Sequence, residues 1–216
     1  MAPGPCRPQG EQKLKISTVD RLLLLGTGLL AAYQIVVGID DLGSMPVAAY
    51  TIGFGVLLLA GLLLIILGFD ALDSPVVAVV STVIPLSLSL GLVWEHAAGW
   101  REAYLAFAIL GFLAIAFTRA LPIPGKLPTI TLAVVHGIAG LTIFLLPIML
   151  AAQGLARPVF SLVGVGGALI GLGGLLLSFL KAGRPILPRK TILRLLPGLL
   201  LLMTAAFVAG FKYGSF

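Results

Sequence analysis

With 216 residues, 59% of them hydrophobic and only 10% charged, and a mean hydropathy of +1.15, the chain has too little polar surface to enclose its apolar residues in water. A soluble globular domain is therefore excluded. The formal charge of +6 has no soluble basic face to sit on, which also excludes a nucleic-acid partner.

The apolar runs are continuous rather than alternating, so the spanning elements are helices and not the strands of a barrel. The chain reads as an all-α, polytopic integral membrane helix bundle. Residues 1–18, with Pro3, Pro5, Pro8 and Gly10, lack apolar periodicity and predict a flexible cytoplasmic tail. Cys6, the single cysteine, has no partner for an internal disulfide and no apolar segment before it, and reads as inert. Residues 19–216 form one transmembrane domain. A spanning helix needs roughly 20 mostly apolar residues, and seven are predicted: Leu22 to Ile39, Val47 to Phe69, Pro75 to Trp94, Ala103 to Leu121, Leu127 to Ala152, Val159 to Leu180, and Thr191 to Phe211. The first run follows Lys13, Lys15 and Arg21 as a secretory signal would. It is longer than a signal core and lacks a small-x-small cleavage site, so it is expected to stay.

Helix 1 places Thr27, Gln34 and Asp41 seven residues apart on one face, and the turn after it adds Asp40. Helix 2 is aliphatic, with Gly53, Gly55, Gly61 and Gly68. Helix 3 sets Ser81, Pro85, Ser89 and His96 on one face and ends in the corner Trp94, Glu95, His96, Trp100, Arg101 and Glu102. Helix 4 is mostly Ala, Leu, Ile and Phe and ends at Arg119. Helix 5 carries His136 about two turns in from its start. Helix 6 spaces Gly164, Gly167, Gly171 and Gly174 as a flat face with a GxxxG pair, suited to tight packing within or between chains. Helix 7 has no ionisable residue in its middle.

Lys and Arg in short loops mark the cytoplasmic side. With the N-terminus inside, only Arg101, Arg157 and Lys212 of the 14 basic residues fall outside, so the N-terminus is expected to be cytoplasmic and the C-terminus outside. The expected location is the cytoplasmic membrane of a bacterium or archaeon. Short matches, such as Ala49-Tyr50 with Ala103-Tyr104, raise the idea of hairpin repeats over 19–70, 72–121 and 127–180 followed by a final helix, 191–211; in a chain this rich in Ala, Leu and Gly such matches also arise by chance.

Polar faces in lipid turn toward the bundle interior. On that ground Thr27, Gln34, Ser81, Ser89 and His136 are candidates to line a shared region between helices 1, 3 and 5; the alternative is that the hydroxyls bond back to their own helix carbonyls. The corner of Asp40, Asp41, Trp94, Glu95, His96, Trp100, Arg101 and Glu102 admits a metal or proton role, but has no tight ligand spacing and also reads as an ordinary interfacial turn, so no metal is expected. His96 and His136 lie at different depths and cannot share one haem, and no cofactor is assigned. The basic loops fit anionic lipid headgroups or an acidic partner, and equally fit topology alone. GxSxG, P-loop and HExxH patterns are missing, so catalysis is not expected. Two histidines are too few for the three-histidine zinc site of the adiponectin-receptor family, and helix 7 has no core lysine for the Schiff base of heliorhodopsins; no family resemblance is drawn.

The leading expectation is a noncatalytic subunit or assembly partner of a larger membrane complex, bound to other subunits or to itself through helix 6. The second is a transporter or binding subunit for a small, mostly apolar molecule using helices 1, 3 and 5.

Overall fold

The computed structural model describes residues 15–39, 42–121, 123, 125–181 and 185–214. Its long helices are α1 (Thr18–Val37), α2 (Ser44–Leu67), α3 (Pro75–His96), α4 (Arg101–Ala120), α5 (Leu127–Ala152), α6 (Ser161–Lys181) and α7 (Arg189–Gly214). Short 3-10 turns, Gly68–Asp73, Ala98–Trp100 and Pro158–Phe160, precede α3, α4 and α6. Seven helices are long and apolar enough to cross a membrane, and no strand occurs among the described residues.

Helix ends follow local chemistry that the apolar runs alone do not register. α1 begins four residues before Leu22 because Ser17 and Asp20 form a capping box. The Asp20 amide donates to Ser17 Oγ at 3.1 Å, and the Ser17 amide donates to Asp20 Oδ2 at 2.8 Å, which satisfies two amides that an open helix end would leave free. The predicted tail therefore ends before Ser17, and its residues 1–14 lie outside the described residues. α1 and α2 both stop at glycines, Gly38 and Gly68, with φ of 69° and 70°, a conformation that costs a residue with a Cβ.

α1, α2, α3, α5, α6 and α7 pack in that order into a closed ring, with α7 returning to α1; α4 lies outside, across α3 and α5. The ring interior is solid. Ala31, Phe54, Leu57, Leu88, Leu92, Ile143, Val163, Met203 and Phe207, drawn from all six ring helices, form one buried cluster. α3 is buried without interruption from Ile84 to Val93, as expected of a helix with neighbours on every side. The proposed hairpin repeats do not pack alike: α2 separates α1 from α3, whereas α4 stands aside and lets α3 touch α5.

Small residues set the helix spacing. A Cβ at Gly164 would lie 2.6 Å from the Phe144 carbonyl oxygen, and one at Gly167 3.0 Å from the Phe144 amide nitrogen, so α5 and α6 touch backbone to backbone. On the opposite side of α6, a Cβ at Gly166 would meet the Phe207 ring at 2.6 Å. Gly171 and Gly174 have nothing within 4 Å. The single glycine face predicted on helix 6 is thus split, with its first half consumed inside the chain and its second half open.

Gly164→Ala is expected to lower the thermal midpoint of the detergent-solubilised protein, at a cost of about 1–3 kcal/mol for overpacking against fixed backbone. Gly171→Ala, with open space and better helix propensity, is expected to leave the midpoint unchanged or raise it slightly.

Candidate functional site

The ends of α1, α3, α5 and α7 and the starts of α2, α4 and α6 meet at one end of the bundle, the end that carries Trp94 and Trp100. Tyr50, in the second turn of α2, lies flat on Gly91 of α3, where a Cβ would come within 2.5 Å of the ring. Its hydroxyl donates to Glu95 Oε2 over a long 3.4 Å. His96 Nε2 is 3.6 Å from the same oxygen, and the imidazole stands edge-on to Phe160, with ring centroids 5.3 Å apart. Phe160 meets Phe211 at 6.2 Å and Phe211 meets Tyr50 at 4.7 Å, closing a circle of side chains from α2, α3, the turn before α6 and α7. A half-buried carboxylate with a phenol on one side and an imidazole on the other can hold a proton, and lacks an activated nucleophile.

The remaining corner residues divide. Arg101 Nε donates to the Trp94 carbonyl at 2.6 Å, and its guanidinium sits 5.8 Å from the Trp94 ring centre, placing a cation on the carbonyl-rich end of α3. Trp100 and Glu102 are exposed, and Asp40 and Asp41 lie outside the described residues. Among the described residues, no three His, Cys, Asp or Glu side chains group where they could hold a metal.

The five residues of the predicted polar interior are not brought together. Because α2 stands between α1 and α3, Thr27 and Gln34 of α1 are separated from Ser81 and Ser89 of α3. Thr27 Oγ1 donates to the Leu23 carbonyl at 3.0 Å, and Ser89 Oγ to the Pro85 carbonyl at 2.6 Å. Back-bonding to the same helix, the alternative reading, accounts for both. Ser81 is half-buried on α3, and His136 is half-buried on α5 with its Nδ1 lacking a hydrogen-bond partner.

Residues that the polar stripes passed over make the interhelical ties. The Tyr104 hydroxyl of α4 donates to Thr142 Oγ1 of α5 at 3.1 Å. Lys212 donates to the Tyr33 hydroxyl and lies over the Tyr33 ring, joining α7 to α1. The spacing of four in Tyr50–Phe54 and in Phe207–Phe211 was the available signal for the aromatic circle, since such pairs project from one helix face.

Two further features remain open. Gly164 faces Phe144 and Ile148, and Gly167 faces Ile143 and Phe144; extended by helical periodicity, this antiparallel register would bring Gly171 level with Gly140 and Gly174 level with Gly137. None of these last four glycines has a neighbour within 4 Å at its Cβ position, so α5 and α6 each carry an open pair of glycines toward the end that carries Arg119 and Arg189. Secondly, a shallow cleft of about 20 Å³ lies between the end of α1 and the start of α2, lined in part by Gln34, Val47, Tyr50, Thr51 and Phe54. Small-molecule pockets usually measure roughly 300–1,000 Å³. No protein-family model, curated protein or solved structure matches the chain.

Glu95→Ala leaves the buried Tyr50 hydroxyl without its acceptor, and is expected to destabilise the solubilised protein by about 1 kcal/mol. Glu102→Ala is expected to change nothing. In a double-mutant cycle, Tyr50→Phe should recover most of the Glu95→Ala loss; independent, additive losses would mean that the 3.4 Å contact does not couple α2 to α3.

Proposed function

We propose that this chain is a noncatalytic multi-pass membrane protein that acts as an assembly subunit, receiving a transmembrane helix of a partner against the open glycines of α5 and α6. The observation that supports this reading is the open space at Gly137 and Gly140 of α5 and at Gly171 and Gly174 of α6. Lipid chains are as apolar as leucine, so helices associate in a bilayer by close backbone approach rather than by hydrophobic expulsion. Inside this chain the glycines Gly164 and Gly167 are used for that purpose. The continuation of the same face is exposed, flanked by the small residues Ala168 and Ser178, and offers the same surface to another chain. A ring interior filled by Phe54, Phe207 and Phe211 favours a scaffold over a transporter. In this reading the end bearing Arg21, Arg119, Arg189, Lys190 and Arg194 faces the cytoplasm.

The test is affinity purification from native membranes in mild detergent, with the wild type beside a Gly171→Leu/Gly174→Leu double variant. The wild type should carry a constant, stoichiometric partner or a second copy. The variant, whose new side chains enter open space, should keep its thermal midpoint and lose that partner. A solitary wild type, or partners unchanged in the variant, would overturn the proposal. Orientation is checked separately: alkaline phosphatase fused after Phe216 should be active, and fused after Leu121 inactive.

A further inference from the structure

Lys212 is held at the tryptophan end of the bundle without a counter-charge. It stands near the end of α7 and is exposed. Its ammonium donates to the Tyr33 hydroxyl of α1, and lies 4.9 Å from the centre of the Tyr33 ring and 5.6 Å from that of Tyr213. Two aromatic rings attract a cation and fix the tip of an otherwise flexible side chain. Among the described residues no carboxylate lies within ion-pair distance of it. A lysine ammonium carries three donors, of which Tyr33 takes one, and a tyrosine hydroxyl that accepts a bond keeps its own proton to give. Tyr33 and Tyr213 are themselves exposed, so a positive charge and unspent donors from α1 and α7 stand side by side at the surface.

We propose that Lys212 and Tyr33 bind the phosphate of an anionic phospholipid, with the ammonium donating to one phosphate oxygen, the Tyr33 hydroxyl to another, and the acyl chains running along the outer face of α1. A lysine binds phosphate as a point charge, and the phosphate oxygens supply the negative charge and lone pairs that the ammonium and the hydroxyl lack. The site lies at the end of the bundle that carries Trp94 and Trp100, and aromatic belts mark the depth of lipid headgroups. The apolar surface that such a lipid needs continues along the same helix. Leu29 and Leu22, four and eleven residues before Tyr33, share its face and are 63% and 62% exposed. The seam between α1 and α7 is itself closed, since a Cβ at Gly26 would lie 3.2 Å from Leu201, so the chains lie over these leucines rather than between the helices. A soluble phosphate offers the same oxygens and gains nothing from the leucines. The other cations of this end are placed differently: Arg101 is bonded to the Trp94 carbonyl, and Arg157 stands in the turn before α6, its amide bonded to the Gly214 carbonyl. The inference is independent of the partner-helix reading, which concerns α5 and α6.

The experiment uses the full chain in detergent, with dioleoylphosphatidylglycerol or dioleoylglycerol added and the bound lipid counted by native mass spectrometry. The lipid that bears a phosphate should be retained and its neutral counterpart lost. Lys212→Gln should cut retention about tenfold and Tyr33→Phe, which keeps both the ring and the charge, about fivefold, the values of a charged and a neutral hydrogen bond. Arg157→Gln, which removes an exposed cation from the same end, should leave retention unchanged. Glycerol phosphate in equal amount should not displace the lipid. Equal retention of the two lipids would overturn the proposal. So would an unchanged Lys212→Gln, the result expected if Asp40 or Asp41 holds the ammonium instead, and so would an equal loss in Arg157→Gln, the mark of diffuse attraction. Displacement by glycerol phosphate would assign the phosphate to a soluble source and overturn the lipid. If Lys212→Gln does not fold, Tyr33→Phe decides the matter.

Discussion

A chain that crosses hydrocarbon must satisfy each backbone amide and carbonyl within its own segment, because the solvent around it offers no partner. The demand extends from the backbone to the side chains. Thr27, Ser87, Ser89, Thr118, Thr142, Ser178 and Thr204 each donate to a carbonyl of their own helix, three or four residues back. Polarity in this bundle is thus absorbed locally before it can define an interior. Ties that cross between elements use long side chains: Tyr50 to Glu95, Tyr104 to Thr142, Lys212 to Tyr33 and Arg189 to Asp73. A phenol or an ammonium on a long stem can reach a neighbouring helix where a serine cannot.

With hydrogen bonding spent within helices, shape decides which helices become neighbours. The recurrent unit is a glycine opposite a ring or branched side chain: Gly91 under Tyr50, Gly166 under Phe207, Gly210 against Val163, and Gly214 against Phe160. Dispersion between a ring and a bare backbone replaces the hydrophobic drive that water would supply. α7 provides a partner in three of these four contacts, and it also closes the ring against α1. The last helix is therefore the keystone of the closed arrangement, although its sequence, free of midspan charge, looks the least specific.

Length and composition were enough to place all seven helices, since the continuity of apolar residues is a direct consequence of the solvent. Helix ends were less legible. The Ser17–Asp20 capping box was present in the sequence as S-x-x-D and extends α1 beyond its apolar run. The neighbour order was not legible at all. A stripe of hydroxyls on helices 1, 3 and 5 reads as a shared polar lining only if those helices meet, and whether α2 or α4 stands inside the ring depends on contacts far apart in the chain. The four glycines of helix 6 illustrate the same limit. Periodicity groups Gly164, Gly167, Gly171 and Gly174 on one face, but only the position of α5 separates the two that are occupied from the two that are open. For the candidate site, Glu95, His96 and Gln34 drew attention by being polar in an apolar setting, while Phe160 and Phe211 did not, because an aromatic in a membrane helix carries no such contrast.

The two ends of the bundle are built differently. At the tryptophan end, α2 is tied to α3 through Tyr50 and Glu95, and α1 to α7 through Tyr33 and Lys212. There the Arg157 amide also donates to the Gly214 carbonyl at 3.3 Å, fixing the turn before α6 to the end of α7. Toward the other end, Arg189 pairs with Asp73 at 3.6 Å, and Gly137 and Gly140 of α5 and Gly171 and Gly174 of α6 face open space. A face of this kind exposes backbone without exposing unsatisfied polar groups, since the helical hydrogen bonds stay within each helix. In a bilayer such a face would stay open at little cost, which is why the proposed partner helix could approach it closely.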